Sequence, residues 1–163
     1  MTKVVETPVV AEEAPVYGGG RFSEPVRVAG LMKLRQPESF DALLLADKIS
    51  AGLPVGAATH LGRSLEVLGH NTIHEIIPEA TLRRAEKKKR LSKDSSEKLY
   101  DIARVLDQTA RMFHGDAEEA ARFLRRPHPL LDGRTPFDVA KSSTAGADAV
   151  LDLLRRADAG VAI

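Results

Sequence analysis

At 163 residues the chain is long enough to bury a real core, as one ordinary domain or two small ones, without a covalent staple. It contains no cysteine, which excludes disulfides and thiolate metal sites and suits a reducing cytoplasm. Aromatic residues make up only 4% with no Trp, which argues against carbohydrate-binding or base-stacking surfaces, and the net charge of +1 hides an uneven distribution.

Residues 1 to about 23 mix Pro8, Pro15, Gly18, Gly19, Gly20 and scattered acids, with no period over which an apolar face forms, and are read as a flexible arm. The N-terminus lacks the basic-then-apolar order of a signal peptide, and no run of about 18 apolar residues follows it. The expectation is a soluble, unexported, cytoplasmic protein with no membrane association. Arg27 to Leu34 predicts a short strand or a docking strap. Ser39 is placed to cap a helix from about Phe40 to Ala51, with Gly52 as its stop, and a second helix is expected from Pro54 through Leu61.

From Asn71 the chain reads NTIHEII and then PEATLRRAEKKKR. Ile73, Ile76 and Ile77 give the first piece one apolar side; Pro78 breaks it and presets the start of the second, whose inward candidates are Ala80, Leu82 and Ala85. Seven bases (Arg83, Arg84, Lys87, Lys88, Lys89, Arg90 and Lys93) face one acid, Glu86, between Thr81 and Lys93, whereas acids outnumber bases in the remainder of the chain. Two short helices with a tight break, the second carrying concentrated positive charge, form the helix-turn-helix arrangement and point to a polyanion partner. The alternative is a solvated helix face, but seven bases to one acid leave few i,i+4 ion pairs to sustain it. Arg83, Arg84, Lys87, Lys88 and Arg90 are therefore the expected DNA face, mostly on phosphates, with Thr81 within reach of a base edge.

Ser95 or Ser96 is expected to cap the clearest helix, whose apolar stripe runs Leu99, Ile102, Ala103, Leu106, Ala110 and Phe113 until Gly115. Asp116 and Glu119 form a D-x-x-E capping box for a helix closed by Pro127 and Pro129. Thr135, Pro136 and Asp138 open another short helix. Ala147, Val150, Leu151, Leu154 and Ala157 make the last stripe, with Gly160 as its C′ residue. No segment alternates with period two, so the expected fold is all-α. Its parts are an arm (1–23), a helix-turn-helix DNA-binding domain (24–93) and a small helical C-terminal domain (94–163).

Catalytic and metal chemistry has no foothold in this pattern. His74 and Glu75 begin an H-E-x-x-H, but Pro78 stands where the second His belongs. His70 and His74 lack a visible third ligand, the Gly18–Gly20 run precedes no Lys-Ser/Thr, and the serines read as caps. A protein with no enzymatic activity, cofactor or metal is expected.

Residues 113–163 carry a family likeness. Phe113, Gly115 and Asp116 to Leu124 follow an F-G-D/E-x-x-A-A-x-x-W/F-L opening; Pro127 to Asp138 follow P-x-P-x-L-x-G-R/K-x-P-x-D/E; Ala145 to Val161 follow A-G-A-x-x-V-x-x-L-L-x-R-x-x-x-G-V. This resembles the toxin-binding domain of the Xre/MbcA/ParS antitoxins, partners of RES-domain toxins, and the upstream helices resemble the Xre-type helix-turn-helix. Phe123 stands where Trp is frequent, and Ile76, Ile77, Pro78, Glu79 replace an L-G-I/V-S turn.

The resemblance implies an antitoxin that shields the active site of an NAD⁺-acting RES toxin, with the C-terminal helix and the residues after Gly160 against the substrate entrance. Val161 and Ile163 would each contribute about 1.5 to 3 kcal/mol on entering a pocket. Arg155 and Arg156 are placed to meet acidic or phosphate-binding groups, with complementation of the helix dipole as the competing role. Gly160, Val161, Ala162, Ile163, Arg155, Arg156 and the loop residue Arg134 are the expected toxin contacts. The helix-turn-helix would bind the operator of its own operon as a homodimer, since a palindrome requires two recognition helices about 34 Å apart. A stand-alone regulator, whose C-terminal helices serve dimerisation or effector binding, is the alternative.

Overall fold

The computed structural model describes residues 23–36 and 40–160, and among them every regular element is helical. Helices α1 (Glu24–Leu31), α2 (Ala42–Ala51), α3 (Val55–Leu65), α4 (Ile73–Ile76) and α5 (Glu79–Lys88) precede a long α6 (Lys93–Met112). Helices α7 (Ala117–Arg125), α8 (Pro136–Ser142) and α9 (Thr144–Asp158) follow it. Single 3₁₀ turns occupy Glu66–Leu68 and Pro129–Leu131. Val161, Ala162, Ile163 and the arm before Ser23 lie outside the described residues.

Helix α6 is the axis of the fold and packs against α1, α2, α3, α4, α7, α8 and α9. Its cap is Ser92, whose hydroxyl accepts from Ser95 N at 3.1 Å, not Ser95 or Ser96. Ser96 is instead fully buried: its hydroxyl donates to Ser92 O at 2.7 Å and accepts from Leu53 N at 2.8 Å. A hydroxyl that satisfies both the helix start and a distant loop has more to do inside the protein than at an exposed cap. The stripe also departs from expectation. Leu99, Ile102 and Ala103 are buried, but Leu106, Ala110 and Phe113 are half-exposed, while Val105, Asp107 and Thr109 are buried. The middle of α6 is enclosed on more than one side, which a single 3.6-residue stripe does not foresee.

The second cover is α1, the segment expected as a strand or strap. It is a helix with Glu24 and Pro25 in its first turn, and it does dock: Val28, Ala29, Met32 and Leu34 are buried. Arg27 grips Asp107 of α6 through Nε at 3.0 and 3.1 Å and Nη2 at 2.9 Å, which neutralises a nearly fully buried carboxylate. The cap of α2 is Asp41, accepting from Leu44 N at 2.9 Å; the expected cap, Ser39, lies outside the described residues. Asp116 caps α7 through Glu118 N and Glu119 N, but the box is not reciprocal, because Asp116 N is bonded to Phe113 O and Glu119 accepts from Arg122. Thr135 caps α8 and Ser143 caps α9. At Gly146 a Cβ would fall 2.1 Å from Val139 O, so only glycine lets the first turn of α9 sit on the end of α8.

Candidate functional site

Two buried isoleucines, Ile76 and Ile77, anchor α4 and the turn after it. Pro78 stays extended (φ −53, ψ 143) and its carbonyl receives Thr81 N at 2.9 Å and Leu82 N at 3.0 Å, so the break and the new helix come from one residue. Of the three inward candidates on α5, Ala85 is buried and Leu82 half-buried, while Ala80 is exposed; α5 is held by few apolar contacts and presents most of its circumference to solvent.

The far end of α5 is fixed by polar means. Lys89 adopts a left-handed conformation (φ 57), Pro54 and Arg90 form an isolated antiparallel bridge, and Leu91 N donates to Leu53 O at 2.8 Å. Arg90 Nη1 donates to Gly52 O at 2.7 Å and to Ala51 O at 3.4 Å, capping α2 with a cation at its negative end. Arg90, expected on the DNA face, thus has a structural task as well. Arg83 pairs with Glu79 at 2.7 Å. Arg84, Lys87, Lys88 and Lys89 are exposed and form no ion pair among the described residues, and Thr81 is half-buried on the same helix. The concentrated charge is therefore available to a polyanion.

The expected partner-facing residues sit on two elements. Arg155 and Arg156 are exposed on the last turn of α9, with Arg155 paired to Asp152 at 3.0 Å. Gly160 follows the C-cap Ala159 at φ 74, the C′ geometry expected of it. Arg134 belongs to the loop between α7 and α8, where its Nε donates to Leu131 O at 3.3 Å and its carbonyl receives His128 N at 3.0 Å. His70 stands in a turn outside α4, so it and His74 do not share a helix face, and the described residues contain no group of three metal-ligating side chains.

A clasp between the two halves has no counterpart in the sequence patterns. Arg125, at the end of α7, donates from Nη2 to Glu75 Oε1 of α4 at 2.8 Å and from Nε to Leu68 O at 3.2 Å. Its guanidinium lies 4.5 Å from the ring centroid of Phe137 in α8. Lys141 Nζ of α8 reaches Glu75 Oε2 at 2.7 Å and Asp138 Oδ1 at 2.8 Å. In the sequence Glu75 is visible only as a fragment of a zinc motif; partners 50 and 66 residues away leave no periodic trace.

The clasp lowers the pKa of two carboxyls. The Arg125 hydrogen bond, assisted by Lys141, holds the Glu75 carboxyl below its usual range against the opposing effect of burial, and Lys141 with Thr135 does the same for Asp138. A depressed carboxyl contributes stability that is present above its unfolded-state pKa and lost as pH falls through the folded one. Asp101 works oppositely: burial raises it, outweighing the Thr144 hydroxyl and Arg104, so its protonation relieves a cost as pH falls. Glu75→Gln is expected to lower Tm by a few degrees at pH 7 and by progressively less toward pH 3. A gap to wild type that stays constant across that titration would refute the clasp as its source.

The described residues contain no helix long and apolar enough to cross a membrane. The family model described as the antitoxin Xre-like helix-turn-helix domain matches residues 44–104, and that of the antitoxin Xre/MbcA/ParS C-terminal toxin-binding domain matches residues 108–160. The two segments meet inside α6. Both descriptions are of binding modules, consistent with a regulatory, non-enzymatic protein. A curated protein named Antitoxin Xre, from Photorhabdus laumondii subsp. laumondii, is 29% identical over 79 residues, 48% of this chain and 53% of that protein. The chain thus spans about half the length of that relative. With both modules matched in order over more than half of its residues, the chain belongs to the Xre/MbcA/ParS-type antitoxin family.

Proposed function

We propose that this chain is the antitoxin of a cytoplasmic toxin–antitoxin pair. Its C-terminal module binds a RES-domain toxin acting on NAD⁺ and occludes its active site, and its helix-turn-helix binds the operator of its own operon as a homodimer. The observation that carries this reading is the coexistence, in one chain, of a segment matched as toxin-binding and an exposed α5 whose Arg84, Lys87 and Lys88 form no ion pair among the described residues. Arg134, Arg155, Arg156 and residues Gly160, Val161, Ala162 and Ile163 are the proposed toxin contacts. Thr81, Arg83, Arg84, Lys87, Lys88 and Arg90 are the proposed operator contacts, Arg90 reaching DNA only with whatever donors its hold on α2 leaves over.

The test is co-expression with the product of the reading frame adjacent to this chain's own. That product alone is expected to arrest growth and deplete cellular NAD⁺, and the full chain to restore both. Deleting residues 160–163 is expected to weaken protection while operator binding persists. Arrest that the full chain fails to relieve would overturn the reading; full protection by the truncation would overturn the occluding role of 160–163.

A further inference from the structure

Between the end of α6, α7 and the loop that follows lies an open groove of about 460 Å³, within the size range of sites that take a large side chain. Its floor is Met112, Phe113, Phe123 and His128, all half-buried, and Pro127 and Pro129 form one wall. The rings of Phe113 and Phe123 are 5.6 Å apart, and His128 meets Phe123 edge-on at 6.3 Å. Leu130, next along the loop, is 59% exposed. The chain has five Phe and no Trp, so leaving two of the five half-open to solvent in one groove concentrates its scarce aromatic surface there.

The rim is cationic. Arg122 is spent on Glu119, but Arg126 is exposed and forms no ion pair among the described residues. The neighbouring Arg125 is committed to the clasp with Glu75 and Phe137. One unengaged cation beside an acid is too little charge for a nucleic-acid backbone, and prolines offer no donors to phosphate. It is the right complement for a single carboxylate beside an apolar side chain.

We propose that this groove is a second docking surface for the toxin, taking an apolar side chain flanked by a carboxylate on the toxin surface, separate from residues 160–163. The proposal rests on the antitoxin reading above. Every residue lining the groove lies within the segment matched as toxin-binding, which favours the toxin over a second copy of this chain. Half-open aromatic rings that a partner's side chain would bury, beside one rim charge, match the pattern of an interface hot spot.

The test measures affinity of the full chain for the purified adjacent-frame product, alongside operator binding, thermal unfolding and self-association. Arg126→Glu and Phe123→Ala are each expected to weaken toxin binding by about tenfold or more, with operator affinity unchanged. Arg126→Glu, being at an exposed site, should also leave Tm unchanged. Toxin affinity within twofold of wild type for Arg126→Glu would overturn the proposal, and the same result with lost self-association would reassign the groove to a second copy. If the wild-type chain itself does not bind, the antitoxin reading falls first and the groove with it.

Discussion

Phe137→Ala should cost about 3 to 5 kcal/mol, against a total of about 5 to 15 for an ordinary domain, and lower Tm on the order of 10 °C. The ring is 1% exposed and among the largest fully buried side chains. It also carries two cations, with Arg125 at 4.5 Å and Lys141 Nζ at 5.3 Å from its centroid. Truncation opens a cavity in α8 and removes the surface on which Arg125 lies, loosening the hold of α7 and α8 on Glu75. Phe137→Leu keeps most of the volume and should cost less. A cycle with Arg125→Ala isolates the ring–cation share, expected at about 0.5 to 1 kcal/mol. Urea unfolding of wild type and these variants measures all of this; a loss below about 1 kcal/mol for Phe137→Ala would show that the site collapses around the gap and that the clasp does not depend on the ring.

How much of this is legible in the sequence depends on the range of the interaction. Local signals hold where the answer is local: Asp116 and Thr135 cap their helices, Pro78 makes the break before α5, and Gly160 takes the left-handed position after α9. Signals that depend on a distant partner do not. Arg27 to Leu34 reads ambiguously because its glycine and mixed polarity fit no period, and it becomes helical where its apolar side and Arg27 find α6. Ser96 resembles a cap, yet Leu53 N claims its hydroxyl. Arg90 resembles its neighbours in the basic run, yet the carbonyls it caps lie 38 and 39 residues earlier. The groove is the intermediate case: Phe113, Phe123 and the Pro127 to Pro129 loop stand out as motif residues, but that they line one space is a property of the fold.

Arg84, Lys87 and Lys88 replaced together by Ala should weaken operator binding on the order of a hundredfold at moderate salt. The salt dependence should flatten by about one unit of log–log slope for each phosphate no longer neutralised in a half-site. All three side chains are exposed, and none forms an ion pair among the described residues, so their removal withdraws charge without breaking the fold. Arg90 belongs in a separate experiment. Arg90→Ala uncaps α2 and should lower Tm, so a DNA defect in that variant would combine a missing phosphate ligand with a weakened fold. Operator titrations across a range of about 50 to 200 mM salt give the slope directly. An unchanged slope in the triple variant would place the DNA interface on another element.

If one chain carries two separable binding activities, each must survive the removal of the other. Operator affinity and protection against the adjacent-frame product are therefore measured side by side for wild type, the triple α5 variant and the chain lacking residues 160–163. The expected result is crossed: the α5 variant protects but binds the operator poorly, and the truncated chain binds the operator but protects poorly. Loss of both activities in either variant, or of neither, would contradict the separation.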